Sequence, residues 1–195
     1  RDYKINISVI SPLGEKLINK NFKLKNFSPG FGKEIRLPAI ELDTVQLWYD
    51  ESPIRYKVLV ELTQKGKTIE AYELPVAFRK IEIDGNKILL NRKKFKIRGV
   101  NRHEFSPDQG WVISKEEMIK DLELMKRGNV NFIRNAHYPN DPRWYELCDK
   151  YGIMIMHEPN IESHGLSYLR KVLPADLPEW SKACIDRMRR MVIRD

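Results

Sequence analysis

The four histidines of the sequence can transfer protons and donate or accept hydrogen bonds near neutral pH. They are His103, His137, His157 and His164, and each lies just past the C-terminal end of a predicted parallel strand. Loops and strand ends converge at that edge of α/β sheets and barrels, which is where their sites form. One such histidine alone is more often structural, whereas the placement of all four favours a functional site.

Polar segments containing these histidines follow the predicted strands at residues 98–105, 131–139 and 157–165. Their Arg, His, Asn and Glu side chains suit a site that hydrogen-bonds a polyhydroxylated ligand and stabilises negative charge. Glu162 and His164 lie two residues apart in an extended loop, so both can face one side and bind a cation. The pair alone is a weak metal signal, because two neighbouring ligands are common. The sequence contains no zinc-protease helix, phosphate loop or nucleophile elbow.

Strands and helices that would position these residues alternate from residue 97 onwards. The predicted strands are Ile97–Val100, Asn131–Arg134 and Ile153–Met156. The last is almost wholly apolar, as expected of a parallel strand buried on both faces. Three βα units in series predict a parallel sheet with right-handed crossovers. Because a closed barrel needs roughly 250 residues, this stretch is either an open part of a barrel or a small α/β domain.

Each predicted helix of this part has a start signal. A capping box at Ser114–Glu117 begins the first helix, which Gly128 ends. Pro142 opens the second helix, which ends at Gly152, and Pro178 begins the third. The residues of the third helix that are predicted to face inward are Trp180, Cys184, Met188 and Met191.

The N-terminal part has the pattern of β-strands instead. Apolar and polar residues alternate with a period of two from Tyr56 to Thr63, and strands are also predicted at Tyr3–Ile10 and Thr68–Pro75. The dipeptide Asp84-Gly85 indicates a tight hairpin, because it tolerates the positive φ that such a turn requires. Four to six short strands without helical periodicity predict an antiparallel sandwich.

The domain organisation expected from these patterns has two parts. Residues 1–78 form the β-sandwich, which is small or incomplete, and residues 79–195 form the α/β part. The sequence begins at Arg1 rather than Met, and its last helix reaches Asp195 without a stop signal. We therefore expect both ends to be cut, with further elements outside this sequence.

The composition is that of a globular chain, with 42% hydrophobic and 32% charged residues. No apolar run approaches the roughly 20 residues that span a bilayer, so no membrane partner is expected. No signal-peptide pattern is present; the compartment stays open, with a soluble, cytoplasmic protein favoured. The net charge of +8 does not predict nucleic-acid binding, because the basic residues are dispersed without a recognition motif. Cys148 and Cys184 are expected to be buried free thiols.

Three strand-end motifs resemble glycoside hydrolase family 2, and in particular its β-galactosidase branch. They are Ile97–Glu104, with the sequence IRGVNRHE, Asn131–Pro139, with NFIRNAHYP, and Asn160–Gly165, with NIESHG. Residues Val76–Arg79 are similar to the end of the immunoglobulin-like domain that precedes the barrel in this family. The resemblance covers most of the chain and is strongest from 76 to 165.

The resemblance implies a fold and an activity. The fold is an α/β chain with an all-β N-terminal part: an immunoglobulin-like β-sandwich followed by the first three βα units of an incomplete (β/α)8 barrel. The family cleaves terminal β-D-galactosides with retention, using an acid/base Glu and a nucleophile Glu about 5–5.5 Å apart. Both would follow later barrel strands, so this chain is expected to contain no catalytic carboxylate and to be inactive alone.

The resemblance also assigns roles to particular residues. His103 and His137 match positions that hydrogen-bond the galactosyl ring, and Arg134 matches an arginine near the nucleophile. Asn160 is also expected to bind the substrate. Glu162 and His164 match two ligands of a Mg²⁺ ion whose third protein ligand is the acid/base Glu. Mg²⁺ requires near-octahedral, oxygen-rich coordination, so two ligands should hold it weakly.

One departure from the family's pattern bears on the site. The family usually has Asp-Glu-Ala-Asn where this chain has the segment His157–Asn160. A neutral variation is favoured over a drifted site. Two alternatives to a β-galactosidase remain. One is a β-glucuronidase or β-mannosidase-like enzyme of the same family, and the other is a non-catalytic carbohydrate-binding module. The expected partners are a galactoside substrate and further copies of the chain, because an incomplete barrel exposes strand edges that can pair.

Overall fold

A computed structural model describes residues 3–24 and 34–195, apart from the side chain of Ala175. The chain divides into two compact units, Arg1–Lys94 and Phe95–Asp195. This division falls later than the boundary expected at 78/79. The reason is that a short three-stranded sheet, which follows residue 79, belongs to the first unit.

The first unit contains two antiparallel sheets. The four-stranded sheet has the order β2-β1-β3-β4, and the three-stranded sheet has the order β5-β6-β7. Their strands are β1 (Tyr3–Ile10), β2 (Lys16–Leu24), β3 (Tyr56–Gln64), β4 (Lys67–Val76), β5 (Ile81–Asp84), β6 (Lys87–Leu90) and β7 (Lys93–Lys94). The predicted strands and the hairpin are confirmed, and Gly85 has the positive φ of 58° that its turn requires.

Trp48 is a large and fully buried side chain of this unit. The guanidinium of Arg79 lies 5.0 Å from its ring centroid. The Asn91 amide donates a hydrogen bond of 2.9 Å to the Trp48 carbonyl. These contacts fasten the segment before β3 to the residues that flank β5 and β6.

The second unit is built on a parallel sheet with the strand order β10-β9-β8. Its strands are β8 (Gly99–Arg102), β9 (Phe132–Asn135) and β10 (Met154–Met156), and its helices are α1 (Lys115–Arg127), α2 (Pro142–Tyr151), α3 (His164–Arg170) and α4 (Ser181–Arg194). The predicted β-then-α alternation and parallel pairing are confirmed. The first strand begins at Gly99, two residues later than predicted, and the short helix α3 was not predicted.

The first two predicted helices start where the local signals indicated. The third does not, because a 3-10 turn spans Pro178–Trp180 and α4 begins only at Ser181. The Ser114 hydroxyl accepts a hydrogen bond from the Glu117 N–H, and the Glu117 carboxylate accepts one from the Ser114 N–H. Asp141 caps α2, and Gly152 ends it in the left-handed conformation. The core between the helices and the sheet consists of Ile113, Met118, Leu122, Ile133, Trp144, Leu147, Cys148 and Ile153.

Two burial predictions for this unit are wrong. Met156 of β10 is 49% exposed, because β10 is the outer strand of the described sheet and pairs only with β9. In the third predicted helix, which is α4 with its preceding turn, Trp180 is 42% and Met188 45% exposed. Among the four residues predicted to face inward, only Met191 is buried. The spacing of apolar residues in the sequence identifies the apolar face of a helix. Burial of that face also requires another element packed against it.

Both cysteines are free, as expected. Cys148 is buried, and burial raises the pKa of its thiol well above the usual value. The expected burial of Cys184 is wrong: it is only partly buried, because it lines a cavity beside α4. Among the described residues, no helix is long and apolar enough to cross a membrane.

Candidate functional site

The carboxyl ends of the three parallel strands lie side by side. Arg134 of β9 pairs with Asn101 of β8 on one side and with Met156 of β10 on the other. His103 therefore leaves the sheet at the same edge as the loops that begin after Asn135 and Met156. This register brings residues from three distant stretches of sequence to one edge.

Arg134, His137 and Glu158 form a hydrogen-bonded group at this edge, here called the Arg134 cluster. The Arg134 Nε lies 2.5 Å from Glu158 Oε1, and the His137 Nδ1 lies 3.0 Å from Glu158 Oε2. The Arg134 Nη2 is also 3.0 Å from His137 Nδ1. All three side chains remain between 23% and 35% exposed, so a ligand can reach them.

His103 and Asn160 adjoin the Arg134 cluster. The His103 and His137 rings are 5.3 Å apart between centroids, in an edge-to-face arrangement. The Asn160 N–H donates a hydrogen bond of 3.1 Å to the His137 carbonyl. The structure thus brings together the four residues predicted to bind substrate, while their roles in binding stay predictions.

Beneath the site, Arg102 is buried on the last position of β8. Its Nε lies 2.9 Å from the Asp121 carboxylate on α1, and its Nη1 donates to the Asn140 side chain. The guanidinium stacks on the Trp144 ring at 3.7 Å, a cation–π contact. Arg102 therefore ties β8, α1 and α2 together directly behind His103.

Glu104 and Tyr138 hold the loops that flank His103 and His137. Both carboxylate oxygens of Glu104 accept hydrogen bonds from the Asp141 N–H, at 3.2 and 3.0 Å. Burial raises the pKa of the Glu104 carboxyl above its usual value. The Tyr138 hydroxyl donates to the Glu104 carbonyl, and burial likewise raises the Tyr138 pKa. The loops after β8 and β9 are thereby joined.

Glu162 and His164, the predicted metal ligands, lie next to one another. The His164 N–H donates to Glu162 Oε1 at 2.6 Å, and His164 Nδ1 lies 3.8 Å from the same oxygen. Their side chains are 38% and 68% exposed, which leaves them accessible to an ion. Across residues 3–24 and 34–195 no group of three or more ligand side chains could hold a metal. No third ligand from these residues accompanies the pair, and its role in binding a metal stays a prediction.

The pair is separate from the Arg134 cluster but close to Asn160. No hydrogen bond, ion pair or ring contact joins it to the cluster within the described part of the chain. Asn160 and Glu162 line the same cavity of about 240 Å³, together with residues of α3 and α4. Asn160 therefore lies between the two groups of predicted site residues.

His157, the departure from the family's pattern, makes contacts away from the cluster. Its Nε2 lies 2.6 Å from the Asp195 carboxylate at the end of α4, and its ring lies 4.7 Å from the Tyr145 ring. The Tyr145 hydroxyl accepts a hydrogen bond from the Asn140 N–H, and burial raises the pKa of Tyr145 to about 12. These contacts connect the end of β10 to α2 and α4, and the neutral variation stays a prediction.

Glu158 is the site residue that the sequence did not reveal. It stands in the quoted strand-end segment, yet its role depends on the register between β9 and β10. Because Met156 pairs with Arg134, a carboxylate two residues beyond Met156 can reach the Arg134 side chain. That pairing is the signal that could have identified it.

Comparisons with known proteins agree with this architecture. Residues 81–195 match the family model described as "Glycosyl hydrolases family 2, TIM barrel domain", and residues 1–79 match the model described as "Glycosyl hydrolases family 2". The chain belongs to glycosyl hydrolases family 2. The resemblance predicted from the strand-end motifs is thus confirmed.

Relatives of known sequence point to one branch of family 2. The chain is 43% identical over 167 residues to a β-galactosidase of Vibrio vulnificus, covering 85% of this chain and 16% of that protein. It is 46% identical over 151 residues to a β-galactosidase of Photobacterium profundum, covering 77% of this chain and 14% of that protein. The matched stretches therefore span about one-sixth of the relatives' length.

Solved structures of family 2 resemble the chain in fold. The β-glucuronidase of Parabacteroides merdae has a TM-score of 0.71 at 26% identity, covering 80% of this chain and 19% of that one. The β-glucuronidase of Ruminococcus gnavus has a TM-score of 0.78 at 23% identity, covering 98% of this chain and 30% of that one. At 23% identity the second likeness concerns the fold alone.

Proposed function

We propose that this family 2 chain forms the first part of the active site of a retaining β-galactosidase. In fold terms, an immunoglobulin-like domain would precede the first three βα units of a (β/α)8 barrel. The observation that supports the proposal is the Arg134 cluster with His103, at the strand ends where barrel sites form. The 43–46% identity to proteins named β-galactosidase favours the galactoside among the substrates of the family.

His103 and His137 would bind hydroxyl groups of the galactosyl ring. The Nδ1 of His137 faces Glu158 and Arg134, so Nε2 is the ring nitrogen left for a ligand. If Nδ1 donates to Glu158, Nε2 accepts from a sugar hydroxyl; if Nδ1 accepts from Arg134, Nε2 donates. In both arrangements Glu158 and Arg134 fix the orientation of the ring, as a positioning partner does.

Arg134 would supply positive charge where the reaction places negative charge. A retaining glycosidase needs one carboxylate as nucleophile and another as acid/base, about 5–5.5 Å apart. We propose that both lie outside residues 1–195, because the family resemblance places them after later barrel strands, while Glu158 and Glu104 hold Arg134 and the Asp141 N–H. Arg134 would then contact the nucleophile while Glu158 holds its guanidinium in place.

Glu162 and His164 would hold a Mg²⁺ ion together with a ligand outside this chain. The ion, when bound, would stabilise negative charge and orient substrate hydroxyls near the galactosyl ring. Two accessible ligands side by side fit part of an octahedral shell, and water would complete the rest. The chain alone should therefore bind Mg²⁺ weakly.

Hydrolysis assays test this proposal. The purified chain should hydrolyse p-nitrophenyl β-D-galactoside no faster than buffer. Measurable turnover would contradict the proposal that both catalytic carboxylates lie outside this chain. The polypeptide of the complete reading frame should prefer the galactoside over the matched β-D-glucuronide and β-D-mannoside. A preference for the glucuronide, the substrate class named for the structural relatives, would place the protein in another branch of the family.

A carbohydrate-binding module without catalysis is the rival from another class. It predicts substantial galactoside affinity in the isolated chain, measured by titration calorimetry, whereas part of an active site predicts very weak binding. The dispersed charge gives no support to nucleic-acid binding. Binding of duplex DNA at low salt would be the contrary result.

A further inference from the structure

Two of the most exposed aromatic side chains of the second unit lie beside the proposed galactosyl site. Phe105 is 55% exposed and Trp111 is 67% exposed, and both belong to the loop between β8 and α1. Tyr138, from the loop after β9, contacts Trp111. We call Phe105, Trp111 and Tyr138 the aromatic platform. Large exposed aromatic rings in one place mark binding surfaces more often than isolated ones do.

Ring contacts run without a gap from the platform to the Arg134 cluster. The Trp111 ring lies 6.2 Å from the Phe105 ring and 5.1 Å from the Tyr138 ring, centroid to centroid. Tyr138 lies 6.2 Å from His103, and His103 lies 5.3 Å from His137. The platform is therefore the direct outward continuation of the residues proposed to bind the sugar.

The loop that carries Trp111 is held rigidly despite its exposure. Ser106 and Gly110 exchange backbone hydrogen bonds of 2.7 and 2.9 Å, which close a tight turn in which Gly110 has a φ of 66°. The buried Ser106 hydroxyl donates at 2.7 Å to the Glu117 carboxylate of α1. A surface fixed before binding loses little conformational entropy when a ligand arrives.

We propose that the aromatic platform binds the aglycone of the substrate, as a ring with an apolar face, next to the galactosyl residue. This assignment rests on the proposed function, because His103 and His137 fix the inner end of the ligand. Aromatic side chains bind the C–H face of a pyranose or the plane of an aryl group. The three platform side chains carry no charge, which favours a neutral ring over an anionic one.

Saturation-transfer NMR on the chain tests the platform, because the method detects weak binding and resolves the two halves of a ligand. The probes are methyl β-D-galactoside, lactose and p-nitrophenyl β-D-galactoside. Aglycone protons of lactose and of the aryl galactoside should receive saturation from the protein. Trp111→Ala should lower this aglycone signal about threefold or more, and Trp111→Phe should restore most of it.

Tyr72→Ala is the matched control, because Tyr72 is an aromatic residue of β4 that is 57% exposed and belongs to the other unit. It should leave the aglycone signal unchanged. The proposal is overturned if the aglycone signal survives Trp111→Ala, or if it falls equally in the Tyr72→Ala control. Dissociation of a dimer by Trp111→Ala in sedimentation, with no aglycone signal in the unsubstituted chain, also overturns it, because a second copy would then cover the surface.

Failure of the proposed function would look different. It would appear as equal sugar-ring signals for p-nitrophenyl β-D-galactoside and p-nitrophenyl β-D-glucuronide, whatever residue 111 is. The aryl group is common to both probes, so its response to Trp111→Ala still reports on the platform alone. A larger effect on lactose than on the aryl galactoside would identify a sugar as the preferred aglycone, and the reverse an aryl group; both support the platform.

Discussion

Arg102 and Asp121 form an ion pair behind the site. Removing one partner should lower the stability of the second unit by a different amount than removing the other. The Arg102 side chain is 4% exposed and has one unpartnered nitrogen, Nη2, whereas the Asp121 side chain is 39% exposed. Asp121→Ala would leave a buried guanidinium without its counter-ion. Arg102→Met would instead release Asp121 to water and remove a desolvated charge.

The magnitudes follow from these exposures. Leaving a buried charge unpaired costs about 3–5 kcal/mol, and partial access of water through the Asp121 side reduces this to about 2–3 kcal/mol. Arg102→Met loses a cation–π contact of about 2 kcal/mol and a hydrogen bond of about 1 kcal/mol to Asn140. It regains about 1–3 kcal/mol of desolvation, so the net cost is about 0–2 kcal/mol.

Urea unfolding followed by circular dichroism at 222 nm measures both variants. All the described helices belong to the Phe95–Asp195 unit, so this signal reports on that unit. With a slope of about 1–3 kcal/mol per molar urea, Asp121→Ala should lower the midpoint by about 0.7–3 M. Asp186→Ala, which breaks an exposed pair with Arg190, should lower the midpoint far less, because solvent screens that pair. An Arg102→Met variant as unstable as Asp121→Ala would refute the reasoning.

The other predictions concern helix capping, pH, the Arg134 cluster and self-association. Ser114→Ala should cost about 0.5–2 kcal/mol in the same unfolding assay, because it removes the cap of α1. Hydrogen bonds from Ser106 and Ser114 lower the pKa of the Glu117 carboxyl below 4.5. The ionised carboxylate therefore stabilises the fold above about pH 4.5, and this stabilisation is lost as the pH falls. Glu117→Gln should flatten the acid dependence of the unfolding free energy, and an unchanged dependence would contradict this prediction. Glu158→Ala should weaken the galactosyl saturation-transfer signal through Arg134 and His137, while Glu158→Gln restores part of it; equal loss in both variants would exclude a hydrogen-bonding role. The chain should sediment as a concentration-dependent oligomer, because β10 presents an unpaired edge among the described residues; a monomer at all concentrations would contradict this.

Local features of the sequence predicted the elements, because their causes are local. Ser114 and Glu117 satisfy the free N–H groups at the start of α1 whatever the rest of the chain does. Asp84-Gly85 likewise determines its own turn. The histidines could be placed at one sheet edge because strand ends are recognisable and parallel ends align.

Features that depend on neighbours could not be predicted. Glu158 joins Arg134 and His137 only because β9 and β10 pair in one particular register. The exposure of Met156 and Met188 depends on which elements cover them, and a hydrophobic period does not state that. The aromatic platform could not be predicted from the sequence, because Trp111 and Tyr138 lie in different loops that no sequence pattern links.

The rate of galactoside hydrolysis by the polypeptide of the complete reading frame tests the central claim most directly. The kcat/KM for p-nitrophenyl β-D-galactoside should exceed that for the matched glucuronide and mannoside, with the isolated chain inactive. His137→Ala should lower kcat/KM by about tenfold or more, as expected when a hydrogen bond to the substrate is lost. A preference for the glucuronide, or hydrolysis by residues 1–195 alone, would contradict the proposed division of the site.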